Sequence, residues 1–215
     1  AGDQWPTACY IREKAEEIMR QRRGLTRTEE LGRRIAAAVL DVYPYVRADI
    51  ARQPVLRHRV AGVQVPYRVG TASDAAEAKK EYERLAASPN DPFRHGQMQK
   101  YRALLNVHDR QQRGPVLFDA ELHAIRIGEV AIVTNPFELF LDYGLQIKAR
   151  SPAVLTLTSQ LSAEVGRFAG YLATPRAIAA GGYSAETRWF NYVGPEGGKI
   201  LVDRSVEVIG ELWKP

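Results

Sequence analysis

Val130-Ala131-Ile132-Val133-Thr134-Asn135-Pro136-Phe137-Glu138-Leu139-Phe140-Leu141-Asp142-Tyr143-Gly144 is the stretch on which the fold turns. Its first four residues form a continuous apolar run, short enough for a central strand buried on both faces. Thr134-Asn135-Pro136 then breaks the run, and the spacing predicts a helix from Pro136 to Lys148. In that reading Asn135 is the N-cap and Pro136 sits at the first helical position. Glu138 falls at the third, where its carboxylate can reach back to the N-cap amide. A carboxylate at a strand-to-helix junction can cap the helix or bind a metal, and the residue pattern alone favours the cap.

The flanking sequence extends the same plan. Phe118, Ala120, Leu122 and Ala124 alternate with Asp119, Glu121 and His123, the period of a strand with one buried and one polar face. Gly128-Glu129 turns this strand into the Val130 run as a hairpin. Val154-Leu155-Thr156-Leu157-Thr158 reads as a further strand after the helix, and a helix bracketed by strands marks an α/β unit. GRFAGYLATP leads into a short helix from Pro175, capped by Thr174 and ended by Gly181-Gly182. YSAETRWFNYVGPEGG reads as a long irregular loop of the kind that carries function. The last helix, Lys199 to about Trp213, turns Leu201, Ser205, Val208, Ile209 and Leu212 inward.

Toward the N-terminus, AGDQWPTACY is turn-like, and a helix is expected from about Cys9 to Arg23, stopped by Gly24. A second is expected from an N-cap at Thr28 to near Pro44, with Leu31, Ile35, Val39 and Leu40 on one stripe. Pro54 to Val69 alternates and is rich in valine, which predicts extended structure bent at Gly62. Two charged helices follow, from about Ser73 to Ala87 and from Phe93 to Gln112, and these form a helical outer layer from about 73 to 113. The expected fold is therefore mixed α/β (α+β), with a central mixed sheet covered by helices. The 215 residues form a single domain or the C-terminal portion of a larger one.

With 45% hydrophobic and 26% charged residues, the chain can bury a substantial core and does not read as disordered. No apolar run is long enough for a transmembrane segment. The net charge of +5 is spread through stretches such as EEIMRQRR and AEAKKEYERL, where bases alternate with acids as on solvated helix faces. That pattern sets nucleic-acid binding aside. The lone Cys9 allows neither an intramolecular disulfide nor a thiolate zinc site. The absence of an initiating methionine suggests a processed product or a fragment.

His58, His95, His108 and His123 show no HxH, HxxxH or HExxH spacing that would bring two imidazoles to one metal. The glycine-rich patches match neither a P-loop nor a dinucleotide fingerprint, and no GxSxG elbow occurs.

LHAIRIGEVAIVTNPFELFLDYGLQIKARSP followed by GYLATPRAIAAGGY nevertheless resembles the neutral/alkaline non-lysosomal ceramidases and their bacterial relatives. Pro136-Phe137-Glu138 with Gly144 keeps that family's spacing, as does Gly170-Tyr171-Leu172-Ala173-Thr174 followed by Tyr183. Ala1-Gly2-Asp3-Gln4-Trp5-Pro6 is similar to its mid-chain "GD-x-S-P" segment. The resemblance is strong from about Glu121 to Gly198 and weak from about Val42 to Gly114. It implies a zinc-dependent hydrolase of ceramide-type N-acyl lipids, in which two histidines, a glutamate and a tyrosine hold the metal. Glu138 and Tyr171 then stand at the glutamate and tyrosine ligand positions, and Tyr183 at that of a tyrosine that stabilises the oxyanion.

Two departures bear on that implication. Trp5 stands where the family has serine, so true ceramidase activity is not expected. The family's zinc histidines precede the part that this chain resembles, so the N-terminal half of the same protein is an implied partner, and the 215 residues alone are expected to be inactive. The substrate would be a small-molecule or lipid-like acyl compound, and the compartment secreted or periplasmic. The alternative is a non-catalytic relative that keeps the fold for binding or assembly.

Overall fold

The computed structural model describes residues 12–90, 92, 94–162, 169–186, 191 and 193–215. The turn-like opening with Trp5 and Cys9 lies outside them. The described residues fall in two compact units, one within Gln4–Pro54 and the other within Val55–Pro215.

The first unit carries helices α1 (Glu13–Arg22) and α2 (Arg27–Ala48). Gly24, at φ +64°, occupies the left-handed conformation that ends α1. The N-cap of α2 is Thr26 rather than Thr28. The Thr26 hydroxyl accepts from the Glu29 N–H, and the Glu29 carboxylate accepts from the Thr26 N–H, so the stronger capping box lies two residues earlier than expected. The helix also continues through Pro44 to Ala48. The carbonyl that Pro44 leaves unbonded belongs to Leu40, on an exposed turn where solvent can take the bond.

The second unit is mixed α/β. Its strands β1 (Leu56–Pro66), β2 (Leu117–Ile127), β3 (Val130–Thr134) and β5 (Leu155–Ser159) form one sheet in the order β1-β2-β3-β5. β1–β2 and β2–β3 are antiparallel, and β3–β5 is parallel. The expected bend at Gly62 does not interrupt the pairing, since Gly62 lies opposite Glu121 in an unbroken register. Gly128, at φ +59°, makes the β2–β3 turn. Helices α3 (Ala72–Ala86) and α4 (Arg94–Gln111) pack on one another as the helical layer between β1 and β2.

The Val130–Gly144 stretch departs from its expected form. Between β3 and helix α5 (Leu141–Arg150) the chain makes a two-residue strand, β4 (Glu138–Leu139). It pairs in parallel with β6 (Tyr171–Leu172). Phe137 and Leu139 are buried and Glu138 between them is not, so period-two alternation prevails over the helix-start pattern. Asn135 is accordingly no N-cap. Its Oδ1 accepts from the Phe137 N–H at 3.1 Å in an Asx turn, and Phe140 takes the cap position without a side-chain bond.

Helix α6 (Pro175–Ala180) is capped by Thr174 as expected. Helix α7 (Pro195–Glu211) starts at Pro195, inside the GPEGG segment read as loop. A Cβ at Gly197 would meet Val193 at 2.7 Å, and one at Gly198 would meet the Tyr143 ring at 2.1 Å, so these glycines let the helix approach its neighbours closely. α7 lies on β1, β2 and β3 and against α5. Its Leu201, Ser205, Val208, Ile209 and Leu212 are buried against Val63, Val65, Leu122, Ala131 and Val133.

Candidate functional site

The β4–β6 ladder places Glu138 directly opposite Tyr171. Both strands are short because each is flanked by a specialised connection. Glu138 N–H donates to the carbonyl of Gly170 at 2.8 Å, and Gly170 holds φ +65°. Tyr171 N–H donates to Oδ1 of Asn191 at 2.8 Å, and Asn191 Nδ2 donates in turn to the Glu186 carbonyl at 3.3 Å. On the other side, Asn135 N–H donates to the Ser159 carbonyl at 2.9 Å, which ties the start of the turn to β5. Two buried asparagines thus satisfy backbone groups that no ladder reaches.

Phe137, Leu139 and Leu172 point into the core, so the alternate residues Glu138 and Tyr171 turn outward, half-buried and side by side. Partial burial pushes the Tyr171 pKa above its ordinary value, and the neighbouring Glu138 carboxylate and Tyr183 push the same way.

Tyr183 meets Tyr171 edge to face, with ring centroids 5.9 Å apart and planes at 78°. Tyr183 itself is 59% exposed. The loop that carries it begins at Gly181 and Gly182, both at positive φ, and is fastened by Arg68 Nη1, which donates to the Ala185 carbonyl at 2.7 Å. Glu138, Tyr171 and Tyr183, far apart in sequence, therefore share one patch. Residues 187–190 and 192 of the aromatic loop lie outside the described residues.

The residue pattern gave no signal for Asn135, Asn191 or Arg68 as supports of this patch, except that an Asn-Pro pair favours turn initiation. It also treated the histidines as unrelated. His58 and His123 stack across β1 and β2 with Nε2 and Nδ1 3.0 Å apart, and His123 Nε2 lies 3.1 Å from a Glu121 carboxylate oxygen. Among the described residues, no three His, Cys, Asp or Glu side chains are grouped so as to hold a metal ion. No helix among the described residues is long and apolar enough to cross a membrane.

No protein-family profile matches the chain, and no curated protein matches it in sequence. Among solved structures, neutral ceramidase from Pseudomonas aeruginosa superposes with a TM-score of 0.51 at 13% identity, over 86% of this chain and 32% of that one. A ceramidase complexed with C2 superposes with a TM-score of 0.37 at 17% identity, over 44% of this chain and 15% of that one. The chain thus spans about a third of the length of the Pseudomonas aeruginosa neutral ceramidase and, over that span, has a ceramidase-like fold.

Proposed function

We propose that this chain is part of a ceramidase-like, zinc-dependent hydrolase acting on an amide (N-acyl) or related acyl bond. Glu138 and Tyr171 supply two of the metal ligands, and Tyr183 donates to the developing oxyanion. The observation that carries the reading is the ladder pair Glu138 and Tyr171, outward-facing, with the Tyr183 ring set edge-on beside it.

A carboxylate and a phenol are oxygen donors that suit zinc, but they fill only half of a tetrahedral shell. The remaining ligands, two histidines by the family resemblance, belong to the N-terminal half of the same protein. When bound, zinc would lower the pKa of a water molecule and polarise the scissile carbonyl. Within this chain, the β4–β6 pairing sets Glu138 beside Tyr171, and the buried residues Phe137, Leu139 and Leu172 anchor that pairing in the core. The exposed Tyr183 hydroxyl is the group on this patch suited to donate to a tetrahedral oxygen. A lipid-like acyl substrate and a secreted or periplasmic location complete the reading.

Trp5 in the serine position supports a second reading, a non-catalytic relative that keeps the fold for binding or assembly. Zinc analysis of the full-length protein by X-ray fluorescence separates the two. The hydrolase reading expects bound zinc that Glu138→Ala and Tyr171→Phe each remove. It also expects Tyr183→Phe to keep the metal and to lose about 10²–10³-fold in turnover, the range for removal of one oxyanion donor. Wild-type protein without zinc would leave the non-catalytic reading standing.

A further inference from the structure

Among the described residues of Val55–Pro215, helices cover one face of the four-stranded sheet. Helix α7 lies across β1, β2 and β3, α5 lies against β5, and the residues turned toward these helices are buried. The alternate residues turn the other way, and among them large apolar side chains line up across all four strands. Leu56 lies opposite Ile127, and Ile132 lies opposite Leu157. Leu155, opposite Val130, continues the row on β5, and Val60 stands on β1 opposite His123. Leu56 is 71% exposed, Val60 46% and Leu157 45%. Helices α3 and α4 pack chiefly on one another, and among the described residues no helix of this unit lies on this face.

An antiparallel sheet that faces water on one side carries polar residues there, and a parallel pair such as β3–β5 is ordinarily buried on both sides. Here the polar residues lie on the β1–β2 side of the face, where Gln64 donates to Asp119 at 2.7 Å, the His58–His123 pair meets Glu121, and His58 stands between Leu56 and Val60. The remainder is an apolar field with polar residues along one side, and it exceeds the scattered apolar exposure of an ordinary surface. The occupant follows from length: the shared fold accounts for 32% of the neutral ceramidase chain, so a polypeptide of that size holds most of its residues outside the shared part.

We infer that this sheet face docks an apolar-faced layer of the same polypeptide, contributed by a segment outside these 215 residues. The inference rests on the reading of the chain as part of a longer hydrolase. Its test is independent of zinc. Benzoylphenylalanine, an apolar photo-crosslinker, replaces the exposed Leu157, and in a second variant Val60, in the full-length protein. Irradiated product is mapped by mass spectrometry. Adducts from both positions to residues outside the 215 are expected, and Leu157→Arg combined with the probe at Val60 should lose them. Adducts that join two copies, adducts confined to the 215 residues, or none at all would overturn the inference. Adducts in protein that holds no zinc would retain the docked face and remove the hydrolase reading, and zinc without adducts would do the reverse.

Discussion

In α1 and α2 of Gln4–Pro54 the one buried side chain is a carboxylate, whereas Val55–Pro215 buries a continuous apolar core. Glu30 sits among Arg23, Arg33 and Arg34, each with a nitrogen within 3.0 Å of a carboxylate oxygen. Ile35, Val39 and Leu40, the apolar stripe of α2, are exposed. In the sheet unit the equivalent position is held by Phe137, Leu122, Leu139, Leu201 and Ile209, which are almost wholly removed from water. The two units should therefore fail for different reasons: the first when its charges are altered, the second when its volume is.

The largest effect is expected at Phe137, which packs against Phe118 with centroids 5.7 Å apart and anchors the turn that presents Glu138. Phe137→Ala should destabilise the sheet unit by about 3–5 kcal/mol, the usual cost of emptying an aromatic site in a core. Denaturant unfolding measures the loss, and hydrogen exchange locates it. If α2 amides lose protection together with those of the sheet, the units do not fail separately and the comparison breaks.

Paired glycine substitutions sharpen the contrast at smaller cost. A Cβ at Gly198 would lie 2.1 Å from the Tyr143 ring and 2.4 Å from its hydroxyl. Tyr143 has no easy retreat, because its hydroxyl donates toward the carbonyls of Ala173 at 3.2 Å and Pro195 at 3.3 Å. Burial, followed by the nearby Glu196 and Asp142, pushes its pKa up to about 12, so the hydroxyl keeps that donor proton at any ordinary pH. Gly198→Ala should cost about 1–3 kcal/mol by overpacking. Gly32 in α2 has open space around its Cβ position and a φ compatible with any residue. Gly32→Ala should therefore stabilise α2 by roughly 0.5–1 kcal/mol through helix propensity. Thermal unfolding of the two variants reads both signs.

The same contrast explains what the sequence disclosed. Alternation in β2, the apolar run of β3 and the inward face of α7 were legible because a single buried face imposes a period on the residues themselves. Asn135-Pro136-Phe137-Glu138 was misleading for the converse reason. Its capping pattern is local, while the partner that makes Glu138 a strand residue, Tyr171, lies far along the chain. Residue chemistry alone favoured a helix cap for Glu138, and only the family resemblance put Glu138, Tyr171 and Tyr183 in one group. The His58–His123 pair was hidden in the same way, since it depends on cross-strand register rather than spacing. In α2, the stripe was visible but its burial was not, because a capping box and an ion cluster suffice to define the helix without a covered face.

The smallest effect, and the one specific to the helical unit, is its response to acid. Hydrogen bonds from Arg33 and Arg34 hold the Glu30 carboxyl down to about 2, with the charges of Arg33 and Arg23 acting in the same direction against partial desolvation. A carboxyl depressed in the folded state contributes stability that is full above its unfolded value of about 4.3 and is lost as pH falls through the folded value. Protection of the α2 amides should therefore decline between about pH 4.5 and pH 2, and the capping carboxylate of Glu29, also held low by its bonds to Thr26, adds to the same fall. Glu30→Gln removes the charge while keeping the shape, so its α2 protection should be lower at neutral pH and flatter across the window. Hydrogen exchange at stepped pH reads this directly. A Glu30→Gln profile that falls as steeply as the wild type would assign the acid response to other carboxylates, such as Glu16, which pairs with Arg34 at 3.6 Å, and would remove Glu30 as the centre of the unit.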